Sequence, residues 1–243
     1  MKSTALTAVL VCAFIFTFAP ELFAQSSNPI QKQQEAVGDK PFAKLGSNGG
    51  CSALSAVDSL IIELQNDSTN ATGYINVYGQ KDETVKNYVR LWQIKNQIKK
   101  RHTGLDASRI KVTTGELRAD ESTEFWIVPG GKQPPPVVSA EWDYKLSRKP
   151  QELNSYCGYY DDSESNEPKL LIEFLNRNPD FYAEVRVFKI PVKEYRKIAK
   201  EAVADLVKNG VPRTRIKTVL LKTPPGPDTY ALWLVPVGRS TKN

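Results

Sequence analysis

The chain has few of the residues on which most catalysis and metal binding rest. It holds one histidine, His102, and three cysteines, Cys12, Cys51 and Cys157, in 243 residues. A zinc site needs three or four converging ligands, chiefly Cys and His, and this supply falls short. No metal site and no cofactor is expected. No Gly-x-Ser-x-Gly elbow and no phosphate-cradling glycine loop occurs, and Gly130-Gly131 precedes prolines instead of a helix. His102 closes the basic cluster Lys99-Lys100-Arg101-His102 at a predicted helix end, where cations offset the helix dipole. It reads as a cap, not a base. Glu121 and Glu124 fall in a turn and on a strand, so spacing does not fix them as an acid/base pair. The acidic stretch Asp161–Glu167 lacks the spaced ligands and central glycine of an EF-hand loop. The reading is non-enzymatic, with no catalytic residue.

Long apolar runs are also scarce. Ala8–Phe18 is apolar but too short to span a bilayer comfortably. With Lys2 before it and Ala24 at a plausible cut, residues 1–24 read as an export signal. No other segment is long and apolar enough to be transmembrane. The expected location is the periplasm or cell envelope, or outside the cell. Net charge is +6. Lys2 and Glu21 cancel within the signal, so its removal leaves that balance, which favours anionic partners. No arginine-rich run or basic-aromatic pattern points to nucleic acid.

What the chain does have is a repeat. Arg109-Ile110-Lys111 leads to Phe125-Trp126-Ile127-Val128-Pro129, and Arg215-Ile216-Lys217 leads to Leu232-Trp233-Leu234-Val235-Pro236. Cys51 and Cys157 lie 106 residues apart (157 − 51), as do Arg109 and Arg215 (215 − 109). Self-similarity at a fixed period marks tandem copies of one fold. After signal removal two cysteines remain at equivalent positions. In an exported chain that pair suggests a Cys51–Cys157 disulfide, the alternative being two separate buried thiols.

Residues 25–50 are rich in Gln, Ser, Asn and Gly and read as a flexible spacer. In the first copy, 51–130, Ser52–Gln65 has helical apolar spacing and Gly73–Gly79 reads as a strand. Asp82-Glu83-Thr84 opens a long helix to about Arg101, with Val85, Tyr88, Val89, Trp92, Ile94 and Ile98 on its apolar side. Strands follow at Arg109–Thr113 and Thr123–Val128. The second copy, 151–238, repeats this order: a helix through Leu170–Leu175, a strand Tyr182–Ile190, a helix Val192–Lys208, and strands Arg215–Leu221 and Thr229–Val235. Between them, 131–150 is a linker with Pro134-Pro135-Pro136, an extended and semi-rigid run. Trp142 and Tyr144 are read as an extra strand feeding the second copy. A short tail, 239–243, ends the chain.

Each copy is therefore α-β-α-β-β, with a leading strand as an addition. The β-α-β crossovers imply parallel pairing and helices on one face, so the fold class is α/β (α+β), as two tandem two-layer α/β sandwiches.

This order resembles the OmpA-like peptidoglycan-binding domain. The residues that carry the resemblance are Gly79-Gln80-Lys81-Asp82 at a strand exit, and Gly210-Val211-Pro212-Arg213-Thr214-Arg215-Ile216 at a helix exit. Leu105-Asp106-Ala107-Ser108-Arg109-Ile110 matches the latter in the first copy. The resemblance implies a carboxylate and a guanidinium that together hold a zwitterionic centre of the wall peptide. It offers Asp82 for the ammonium, Arg90 for the carboxylate and Asn87 as a remnant of the helix signature. The residue-level alternative makes Asp82 a helix N-cap and Arg90 a solvated helix residue. In the second copy Phe188-Lys189-Ile190-Pro191 replaces the Gly-x-x-Asp exit and Ala199 falls where the Arg would be, so no such site is expected there. The resemblance implies an envelope protein that binds peptidoglycan or another anionic envelope component through its first copy. The alternative is a structural or protein-interaction module of the envelope, with envelope proteins as partners.

Overall fold

The computed structural model describes residues 41–46, 50–102, 104–153, 167–187, 192–221 and 230–238. In the first unit, β1 (Ala43–Leu45) precedes α1 (Gly50–Asn66), β2 (Thr72–Tyr78), α2 (Thr84–Arg101), β3 (Ile110–Thr114) and β4 (Ser122–Val128). In the second, β5 (Gln151–Glu152) precedes α3 (Glu167–Arg177), β6 (Phe181–Val187), α4 (Val192–Lys208), β7 (Ile216–Leu220) and β8 (Tyr230–Pro236). The two sheets have the same order, β1-β4-β2-β3 and β5-β8-β6-β7.

The central pairings repeat. β2 runs parallel to β3, with Gly73 opposite Ile110, and β6 runs parallel to β7, with Ala183 opposite Ile216. A helical crossover is the standard route between such parallel neighbours, and α2 and α4 supply it. β4 and β8 then return antiparallel along β2 and β6. The mixed α/β architecture expected from the repeat is what the structure has.

Alternation sets the faces of each sheet. Ile75, Val77 and Phe125 are fully buried in the core shared with α1 and α2, as are Ala183, Val185 and Val187 in the second unit. Gly73 lets α1 come close. A Cβ there would sit 2.8 Å from Leu64 Cδ1 and 3.1 Å from Leu60 Cδ2.

Three local readings need correction. Residues 43–45 belong to the first sheet, because β1 pairs antiparallel with β4, Ala43 opposite Phe125. They are therefore not part of a spacer. Trp142 and Tyr144 form no strand. The leading strand of the second unit is Gln151–Glu152, antiparallel to β8. Asp82 is not the cap of α2. That position falls to Glu83, whose side chain makes no capping bond, while Asp82 takes the left-handed conformation at φ 64°.

Trp142 and Tyr144 instead build a joint between the units. The Tyr88 hydroxyl on α2 donates to the Trp142 carbonyl, and the Trp142 indole donates to the Gly115 carbonyl at 2.8 Å. The Tyr88 and Tyr144 rings stack with centroids 3.8 Å apart. Phe174 on α3 meets both edge-on, at 5.6 and 5.4 Å. Asn178, just past α3, ties the linker to that helix end. Its Nδ2 donates to the Tyr144 and Phe174 carbonyls and its Oδ1 accepts from the Leu146 amide. Aromatic pairs of this kind add about 0.5–1.5 kcal/mol beyond burial. The linker is a packed element that carries one hydrophobic core from the first unit into the second.

Candidate functional site

The candidate residues lie where β2 leaves the sheet and α2 begins. Gly79 is required there: a Cβ would sit 2.7 Å from Asn87 Cγ and 2.8 Å from Leu117 Cδ2. The Asn87 amide reaches back over this gap. Its Oδ1 accepts from the Gln80 N–H and its Nδ2 donates to the Gln80 carbonyl, both at 2.8 Å. Asn87 thus imitates a neighbouring strand and satisfies both backbone groups of Gln80. On the other side the loop pairs with Arg118, through Arg118 N to Gly79 O and Lys81 N to Arg118 O. Asn87 is buried, and its amide is engaged in holding the loop.

Arg90 is one turn further along the same helix. It is not solvated. Its Nη2 lies 3.4 Å from Glu121 Oε1 and 3.3 Å from the Gly46 carbonyl. Lys86 Nζ lies 3.0 Å from the same Glu121 oxygen. Glu121 is 2% exposed. Two cations on successive turns of α2 therefore face one buried carboxylate, which burial alone would strongly disfavour. Among the described residues Glu121 Oε2 has no hydrogen-bond partner. Glu124 points elsewhere and pairs with Lys44 of β1 at 2.9 Å.

Asp82 is exposed to solvent. The structure thus places Asp82 at the surface, while Asn87 and Arg90 turn inward to the loop backbone and to Glu121. Glu121 is the residue sequence reasoning undervalued. The available signal was a carboxylate just before a strand whose neighbours in the core are apolar. At the second unit's corresponding helix, Ala199 is buried and Arg196 is exposed.

The repeated Arg-Ile-Lys resolves into three separate roles. Arg109 donates from Nε to the Ala71 carbonyl at 2.9 Å and pairs with Asp67 at 3.2 Å. Arg215 donates instead to three carbonyls, of Leu175, Asn178 and Phe181. Each Arg stitches the turn between the first helix and the central strand. Its burial pulls the Arg215 guanidinium below its usual range. Ile110 and Ile216 enter the core. Lys111 and Lys217 lie over the Tyr74 and Tyr182 rings, with Nζ 5.6 and 3.9 Å from the centroids.

His102 sits at the α2 C-terminus, with Nδ1 3.0 Å from the Ile98 carbonyl. Among the described residues no cluster of His, Cys, Asp or Glu is placed to hold a metal ion, and no helix is long and apolar enough to cross a membrane. Cys51 lies on the first turn of α1. Cys157, residues 1–24 on which the export reading rests, the acidic stretch up to 166 and Phe188–Pro191 lie outside the described residues. No family model, curated protein or solved structure matches the chain.

Proposed function

We propose that this chain is a non-enzymatic, exported cell-envelope protein whose two units act together as a rigid interaction scaffold. The observation that carries the reading is the joint. Tyr88, Trp142, Tyr144 and Phe174 interlock across the linker, so two surfaces are presented at one fixed spacing. The basic balance directs the scaffold toward anionic envelope components or envelope proteins. Export rests on the apolar run Ala8–Phe18. A disulfide between Cys51 and Cys157 belongs to the same proposal. Thiol labelling of the unfolded, unreduced protein after signal removal tests it: two reactive thiols would refute the pairing.

A second reading, peptidoglycan binding through the first unit, is favoured by the exposed carboxylate of Asp82. Against it, a ligand carboxylate at Arg90 would have to displace Glu121, a buried partner already in place. Sedimentation with purified cell-wall sacculi separates the two. The scaffold reading expects the Asp82→Ala protein to sediment as the unaltered protein does. Retention that is lost on Asp82→Ala would establish the wall-binding reading instead.

A further inference from the structure

A cavity of about 590 Å³ opens beside the joint, where linker residues 143–148 cross the C-terminal end of α3 and the turn into β6. The volume is within the range of small-ligand sites, which favour boundaries between structural units. Its lining carries both signs of charge. Lys145, Arg148 and Arg177 supply cations, and Asp143 and Asp180 supply carboxylates. Tyr144 contributes an aromatic wall.

The frame of this cavity is fixed from beneath. The three Asn178 bonds lock the linker to the helix end. Arg215 locks the turn by taking up the carbonyls of Leu175, Asn178 and Phe181. Asp143 Oδ1 accepts from the Lys145 amide at 3.0 Å, which sets the local linker turn. Arg177 lies over the Tyr144 ring at 4.4 Å and pairs with the half-buried Glu173 at 3.7 Å, a contact that water screens. The side chains of Lys145, Arg148 and Asp180 are exposed. Charged groups on a fixed frame bind at lower entropic cost than the same groups on a mobile loop.

We propose that this cavity binds a short zwitterionic peptide. A purely anionic ligand would meet Asp143 and Asp180, and a purely cationic one would meet Lys145, Arg148 and Arg177. A ligand with both charges satisfies both sets: its ammonium pairs with the carboxylates and its carboxylate with the guanidinium groups. The cavity is independent of Asp82 and of the scaffold reading.

The test is titration of the ¹⁵N-labelled protein with alanyl-alanine, followed by amide chemical shifts. Saturable shifts at Tyr144, Leu146 and Asn178 are expected. N-acetyl-alanyl-alanine and alanyl-alanine amide, with one charge each, should bind about tenfold more weakly, as should the peptide to Arg148→Gln and Asp180→Asn proteins. Both side chains are exposed and make none of the frame hydrogen bonds named above, so both variants should keep the fold and most of the unaltered spectrum. Absence of saturable shifts would overturn the proposal, as would equal binding of the singly charged peptides or unchanged binding by both variants. Free alanine binding as tightly as the dipeptide would overturn the assignment to a peptide.

Discussion

The Tyr88 ring of the first unit meets the Phe174 ring of the second edge-on, with centroids 5.6 Å apart and planes at 88°. Tyr88 is anchored from its other end by the Trp142 carbonyl. Both rings are buried, so this contact is core, although the residues come from different copies of the repeat.

Phe174→Ala should therefore destabilise the protein by about 3–5 kcal/mol, the usual cost of emptying a buried aromatic site. Tyr88→Phe keeps the ring and removes the hydroxyl, and should cost about 1 kcal/mol. It should also change the alkaline limit. Burial pushes the Tyr88 hydroxyl up from 10.0 to about 12. The folded state holds that proton more tightly, so its contribution is complete below pH 10 and is lost as pH rises toward 12. Urea unfolding across that window should fall less steeply for Tyr88→Phe than for the unaltered protein.

The Arg90–Glu121 pair makes a prediction of the opposite kind. Glu121→Leu removes the carboxylate and leaves the Arg90 guanidinium buried, which should cost about 3–5 kcal/mol. Adding Arg90→Met should recover part of that loss, because two apolar groups replace a broken ion pair. A double-mutant cycle by denaturant unfolding measures the coupling. Strict additivity would contradict the pairing.

The two stitching arginines should differ in their response to acid. Hydrogen bonds from the Thr69 hydroxyl and the Ala71 amide, with Arg109 nearby, hold the Asp67 carboxyl below 3.8. Its folded value is depressed, so its contribution is complete above pH 3.8 and is lost as pH falls through the lower folded value. Asp67→Asn should therefore be less stable than the unaltered protein at pH 6, and the gap should narrow as pH falls below 3.8. Arg215→Lys loses a planar fork that serves three carbonyls and should cost about 2 kcal/mol with no comparable acid dependence.

Periodicity carried most of the fold. Val192–Lys208 has the bounds that its apolar spacing predicts, and α1 exceeds its expected span only slightly. The repeat also implied two sheets of one order. β1 escaped notice because three residues are too few for alternation to register, and their partner strand lies about eighty residues on. The joint escaped for another reason. Tyr88 reads correctly as apolar-face, but a helical pattern does not say which neighbour that face meets. Trp142 and Tyr144 alternate like a strand, yet are held by rings and carbonyls, not by a ladder. At the candidate site the sequence identified the right segment after Gly79. It could not show that Asn87 spends its amide on Gln80, or that Arg90 faces Glu121 thirty-one residues away (121 − 90). Those partners are set by the sheet, which brings the start of β4 beside the end of β2.

In the proposed scaffold the two units move as one body. Backbone ¹⁵N relaxation measures this directly, by giving the rotational correlation time for amides in each sheet. One common value is expected for β2 and β6, and two shorter values once Tyr88 and Phe174 are both replaced by Ala. Two separate, shorter correlation times in the unaltered protein would contradict it.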